Sequence, residues 1–77
     1  MAIIMFCRPG CIDCRIARGF FQHFGVEFTD IDVREDADAE ARLRELTGGE
    51  LVTPVFDIDG RIVIEPSISD LREMLGL

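Results

Sequence analysis

The sequence predicts an α/β domain spanning residues 1–77, with a four-stranded mixed sheet flanked by three helices in the order β-α-β-α-β-β-α. Three observations predict it. Ala2 to Phe6 is a continuous apolar run, as in a strand buried on both faces. After Cys11 the apolar residues recur at spacings of three and four, the period of a helix face. Val55–Ile58 and Arg61–Ile64 flank Asp59-Gly60, the two-residue signal of a type I′ hairpin. A strand–helix–strand unit crosses over right-handed and parallel, whereas a tight hairpin is antiparallel, so the sheet must be mixed.

The elements follow in chain order. Arg8-Pro9-Gly10 ends the first strand, because Pro and Gly break the ladder and turn the chain. Ile12, Ile16, Ala17, Phe20, Phe21 and Phe24 then form one apolar face of a helix, with Gly25 placed to stop it. Val26 to Val33 predicts the second strand: Val26, Phe28, Ile31 and Val33 stand among acidic residues, with one slip in the alternation. Ala37 to Thr47 consists mostly of good helix formers, turns Leu43 and Leu46 inward and is closed by Gly48-Gly49. Beyond the hairpin, Ser67 to Leu75 predicts the last helix. Ile68, Leu71, Met74 and Leu75 share a face there, and Ser67 with Asp70 makes a capping signature.

Composition removes several function classes. An apolar fraction of 48% with six Phe supports a compact core and excludes a disordered chain. A net charge of −7 excludes nucleic acid, whose phosphates need cations to neutralise them. All eight cations are Arg, which rules out Schiff-base and P-loop lysine chemistry. The single His23 rules out a multi-histidine metal site and is expected to be a solvent-exposed or satisfied side chain. Met1 to Phe6 lacks the basic start and the length of a secretion signal, and no apolar run is long enough to span a membrane. A cytoplasmic monomer is therefore expected.

The chemistry concentrates in Cys7, Cys11 and Cys14. An odd cysteine count without an export signal argues against a structural disulfide framework. Cys11 falls where a strand hands over to a helix, and free amides with the positive end of the helix dipole favour an anion there. Its thiol is expected to ionise readily, and the thiolate is the reactive form. Cys14 lies one turn further along the same face. This pair suits a two-step exchange: Cys11 attacks a disulfide, then Cys14 resolves the mixed disulfide and leaves a Cys11–Cys14 bond. Arg8 can lower the Cys11 pKa or hold an anionic substrate, while Asp13 suits the dipole but repels a thiolate. Cys7 is expected to be a small apolar core residue at a strand end. A zinc site would need Cys7 and His23 as further ligands, from a strand and from far along a helix, so no metal is expected. A Cys-x-x-Cys beside a βαβ unit is the signature of a thioredoxin-like redox fold.

With these residues in view, the chain resembles the glutaredoxin family nearly end to end. Phe6-Cys7-Arg8-Pro9-Gly10-Cys11-Ile12-Asp13-Cys14 looks like the family's strand end and active-site segment, and Ala17 matches the small residue that follows it. Leu46-Thr47-Gly48-Gly49, followed by Val52-Thr53-Pro54-Val55-Phe56-Asp57-Ile58-Asp59-Gly60, looks like the second helix end, the cis-proline loop and the hairpin. The resemblance implies a thioredoxin-like fold and a cis Thr53–Pro54 bond in a loop lying against the cysteines. It implies a thiol–disulfide oxidoreductase that reduces protein or mixed disulfides through Cys11 and Cys14. Arg8, Thr53, Pro54, Ser69 and Asp70 would line its substrate groove. No tightly bound cofactor is implied, and the reductant would be glutathione or a flavoprotein of the thioredoxin-reductase type.

Two departures bear on that choice. Glutathione-using members carry Pro and an aromatic between the cysteines, where this chain has Ile12 and Asp13. They carry Gly-Gly ahead of the last helix, where this chain has Pro66 and Ser67. Pro removes an N–H donor and both side chains obstruct close backbone approach, so a glutathione carboxylate should be held less well. The acidic stretch from Asp30 to Glu40 reads as a solvated face that could steer a basic partner or deter anionic glutathione. The alternative reading is an iron–sulfur or metal-binding module. Cys11, with Cys7 and either glutathione or a second subunit, would then supply the ligands.

Overall fold

The computed structural model describes residues 1–77. The elements are β1 (Ile3–Cys7), α1 (Ile12–Phe24), β2 (Thr29–Asp32), α2 (Ala37–Thr47), β3 (Val55–Ile58), β4 (Arg61–Ile64) and α3 (Ile68–Leu75). The sheet order is β2-β1-β3-β4. β1 pairs parallel with β2, and β1–β3 and β3–β4 are antiparallel. This is the mixed four-stranded sheet expected. The hairpin turn has positive φ at both Asp59 (51°) and Gly60 (89°), as a type I′ turn requires.

β1 is central, and its alternation divides the core in two. Ile3, Met5 and Cys7 face α1 and α3, meeting Ala17, Phe20, Phe21 and Leu71. Phe6 faces α2, meeting Val33, Ala39, Leu43 and Val55. The continuous apolar run is thus explained by burial on both faces.

Two expectations are corrected. The second strand begins at Thr29, three residues later than Val26. Val26 and Phe28 pack with the α1 cluster, whereas Ile31 packs with the α2 cluster and Val33 belongs to it. The chain crosses the sheet edge between them, which is the physical origin of the slip in alternation. The apolar face of α1 is also narrower than its sequence suggests. Cys14, Ala17, Phe20 and Phe21 are buried, but Ile12 is 73% and Ile16 49% exposed. Ile12 stands two residues before Cys14, about half a turn round the helix, so both cannot face the sheet. Phe24, at the end of the helix, is half-exposed beside Phe20, with Arg72 over its ring. No helix is long and apolar enough to cross a membrane.

The caps hold the helix ends. Asp36 accepts from the Ala39 N–H at 3.1 Å to start α2. At α3, Ser67 and Asp70 form a reciprocal capping box: Asp70 N–H donates to Ser67 Oγ at 3.1 Å, and Ser67 N–H donates to Asp70 Oδ2 at 3.3 Å. These two contacts bear on the site as well as on stability.

Candidate active site

The chain leaves β1 at Cys7 and turns through Arg8-Pro9-Gly10. Gly10 has φ 80°, a left-handed conformation that a side chain would strain. The turn delivers Cys11 to the N-cap of α1, where its Sγ accepts from the Cys14 N–H at 3.3 Å. A sulfur thus occupies the position that an Asp or Ser oxygen takes in other helices. The Thr53–Pro54 bond is cis, as the resemblance implied, and this loop lies against the cysteines. The Cys11 thiol donates to the Thr53 carbonyl at 3.6 Å.

Accessibility separates the three free thiols. Cys11 is partly exposed, while Cys14 is 1% and Cys7 3% exposed. Cys7 fills its expected core position, but its thiol is not isolated. It shares a buried cluster with Cys14, whose N–H donates to Cys11 Sγ. All three cysteines border one cavity.

The crowding of three thiols changes where the charge rests. The sequence places the thiolate on Cys11, but burial and the neighbouring Cys14 thiol push the Cys11 pKa up, against the opposing pull of Thr53 and the Cys14 amide. Cys14 is instead pulled down to about 6, first by the Cys7 thiol and, against the cost of burial, by Cys11, Thr53 and the Arg8 amide. Cys7 is pushed far up by the Cys14 thiol and by desolvation. The helix-end argument weighs one thiol; Cys14 has more neighbours that favour its anion. The Thr53 hydroxyl is buried and makes no hydrogen bond of ordinary geometry. It lies close enough to both active sulfurs to favour their anions.

The resting charge is testable by acid titration of ultraviolet thiolate absorbance in the reduced protein. The signal should be present at neutral pH and disappear with a midpoint near 6 as Cys14 takes up its proton. Cys11→Ser should retain the step near 6 and Cys14→Ser should lose that step, any thiolate left there being that of Cys11. The opposite pattern would return the charge to Cys11.

A cavity of about 450 Å³ opens beside the cysteines, lined by Cys7, Cys11 and Cys14 together with Arg8, Arg15, Arg18, Asp30 and Asp32 among others. Arg8 therefore shares a site with the cysteines. Ser69 and Asp70 do not line this cavity; they stand exposed at the start of α3. Sequence reasoning missed Arg15 and Arg18, although their spacing of one and four residues from Cys14 places them on the same helix rim. Arg18 pairs with Asp30 at 2.7 Å across the cavity mouth. No group of three or more His, Cys, Asp or Glu side chains is arranged to hold a metal ion.

A mixed sheet with three helices, a cis-proline loop and a dithiol at the first helix N-terminus define a protein of the thioredoxin-fold class. Within that class the chain belongs to the glutaredoxin family, whose sequence profile matches residues 3–63. Among solved structures, the thioredoxin-like protein BC3987 is 32% identical, with a TM-score of 0.83 over 94% of this chain and 97% of that one. A glutaredoxin from Brucella melitensis is 26% identical, with a TM-score of 0.70 over 99% of this chain and 79% of that one. A glutaredoxin from Archaeoglobus fulgidus, at 19% identity and a TM-score of 0.78 over 95% of this chain and 84% of that one, shares the fold. No curated protein matches the chain.

Proposed function

We propose that this protein is a dithiol reductase of protein and mixed disulfides, recharged by a flavoprotein of the thioredoxin-reductase type. Cys11 is the attacking sulfur because it alone of the three is open to solvent. Its proton passes to the neighbouring Cys14 sulfur as it attacks the substrate disulfide, and one substrate sulfur leaves as a thiolate. Cys14 gives that proton to the departing thiolate and attacks Cys11 Sγ as an anion. That step expels the second substrate sulfur as a thiolate, which takes a proton from water, and leaves the Cys11–Cys14 disulfide, so two electrons have passed to the substrate. Thr53 holds Cys11 through its carbonyl, and its otherwise unpartnered hydroxyl is placed to stabilise sulfur anions in both steps. The single observation that carries this reading is the accessible N-cap sulfur of Cys11 backed by the buried Cys14 thiol. A reducing cytoplasm suits three free thiols and would supply the electrons.

The start of α3 supports the choice of reductant. Glutathione would need free donors there, but the Ser67 and Asp70 amides are already engaged in the capping box. Pro66 has no N–H to add. A flavoprotein that presents its own dithiol needs no such cradle. The thioredoxin-like character given for the 32%-identical structure agrees with this assignment.

Turnover of a disulfide-bonded protein substrate should be measured with each regenerating system in turn. Two missing charge-assisted hydrogen bonds are worth at least about tenfold, so the flavoprotein system should exceed glutathione with glutathione reductase by about that factor or more. Faster turnover with glutathione would overturn the reductant. Inactivity with both systems, together with no mixed disulfide formed at Cys11, would overturn the dithiol reading itself.

A further inference from the structure

The dithiol mechanism uses two sulfurs and leaves Cys7 without a task. Cys7 ends β1, where its carbonyl accepts from the Val33 N–H at 2.9 Å, so its backbone is held in the sheet. Its side chain belongs to the same buried cluster as Cys14, and both line the cavity that Cys11 also lines. Cys14 is thus tied to Cys11, whose Sγ accepts from the Cys14 N–H at 3.3 Å, and shares its buried cluster with Cys7. Thiol–disulfide exchange is an in-line displacement at sulfur, and a central sulfur between an attacking and a leaving sulfur is what it requires.

We infer that Cys7 is a third redox-active thiol, which displaces Cys11 from the Cys11–Cys14 disulfide to form a buried Cys7–Cys14 disulfide. The inference rests on the dithiol reading for the first disulfide and extends it by one step. The Cys7 sulfur attacks Cys14 Sγ, the Cys11–Cys14 bond breaks, and the proton of Cys7 ends on the Cys11 sulfur. The step is an isomerisation that needs no oxidant. Its product keeps the protein oxidised but frees Cys11, the accessible thiol, to attack a further disulfide. That second attack gives a mixed disulfide at Cys11 and releases one thiol. No resolving partner then remains, so the oxidised protein acts as a single-thiol acceptor. Burial of Cys7 makes the exchange slower than the first oxidation and shields its product from reductants that must reach sulfur directly.

The test is thiol mapping in the oxidised wild-type protein. Reduced protein is oxidised with a stoichiometric low-molecular-weight disulfide, quenched in acid, unfolded, alkylated and mapped by mass spectrometry. If the inference holds, the alkyl label divides between Cys7 and Cys11, with the Cys11 share growing on standing. With excess oxidised glutathione, one glutathionyl group should be added at Cys11 while an internal disulfide persists. Cys7→Ser should abolish both the Cys11 label and the adduct on an internally bridged chain. Label confined to Cys7 at all times would overturn the inference while leaving the dithiol reading intact. Label on all three cysteines, with no internal bridge, would mean that the dithiol reading had failed first.

Discussion

Cys11→Ser should abolish disulfide reduction, a loss on the order of a thousandfold or more, because it removes the only accessible sulfur of the site. Cys14→Ser should lose steady-state turnover to a similar extent but for a different reason, and the two are separable in a single turnover. In Cys14→Ser the first step survives. A burst of substrate thiol should appear and the mixed disulfide should accumulate at Cys11, because nothing resolves it. The variant loses the Cys14 anion that takes the Cys11 proton, but the loss is offset. The Cys14 side chain raises the Cys11 pKa both by hydrogen bonding and by charge, so its removal favours the Cys11 thiolate. Rapid-quench mass spectrometry of each variant with a protein disulfide checks both expectations. A Cys14→Ser variant without a burst would mean that the lower Cys11 pKa does not make up for the lost base.

What the sequence discloses about this site divides along a physical line. Features set by neighbours in the chain are legible. The Asp59-Gly60 turn, the span of α2 and the placing of Cys11 at a helix start each depend on a few adjacent residues. Features set by what lies across the sheet are not. Val26 and Phe28 match Ile31 and Val33 in character, and only the two-sided core shows that they serve opposite faces. The charge at the dithiol follows the same rule. The helix-end argument concerns the backbone beside Cys11 and correctly finds an amide donating to its sulfur. It cannot find Cys7, which joins the buried cluster of Cys14 from the neighbouring strand and favours the Cys14 anion. The Ser67/Asp70 spacing is legible as a capping signature, and the reciprocal cap forms as that signature predicts. Groups that could have faced a ligand are bonded to each other.

The two phenylalanines at positions 21 and 24 make the strongest test of the packing beneath the site. Both belong to the apolar face that the sequence of α1 suggests, yet Phe21 is 0% and Phe24 41% exposed. Phe21 touches Phe20 and Phe28 and meets Phe56 of β3 edge-on, with ring centroids 5.6, 4.9 and 5.8 Å away. It therefore fastens α1, and the dithiol at its start, to the sheet. Phe21→Ala should cost about 3–5 kcal/mol, the transfer loss plus the cavity left behind. A domain of this size has only roughly 4–12 kcal/mol in total, so the variant should retain a small fraction of its stability or be unfolded at room temperature. Phe24→Ala loses an exposed ring contact and a cation–π contact with Arg72, and should cost about 1 kcal/mol or less. Urea unfolding followed by circular dichroism reads both, with the first variant's midpoint collapsing and the second's moving little. Equal costs would mean that α1 presents its whole apolar stripe to the core. The helix would then be rotated from the orientation that buries Cys14 in one cluster with Cys7.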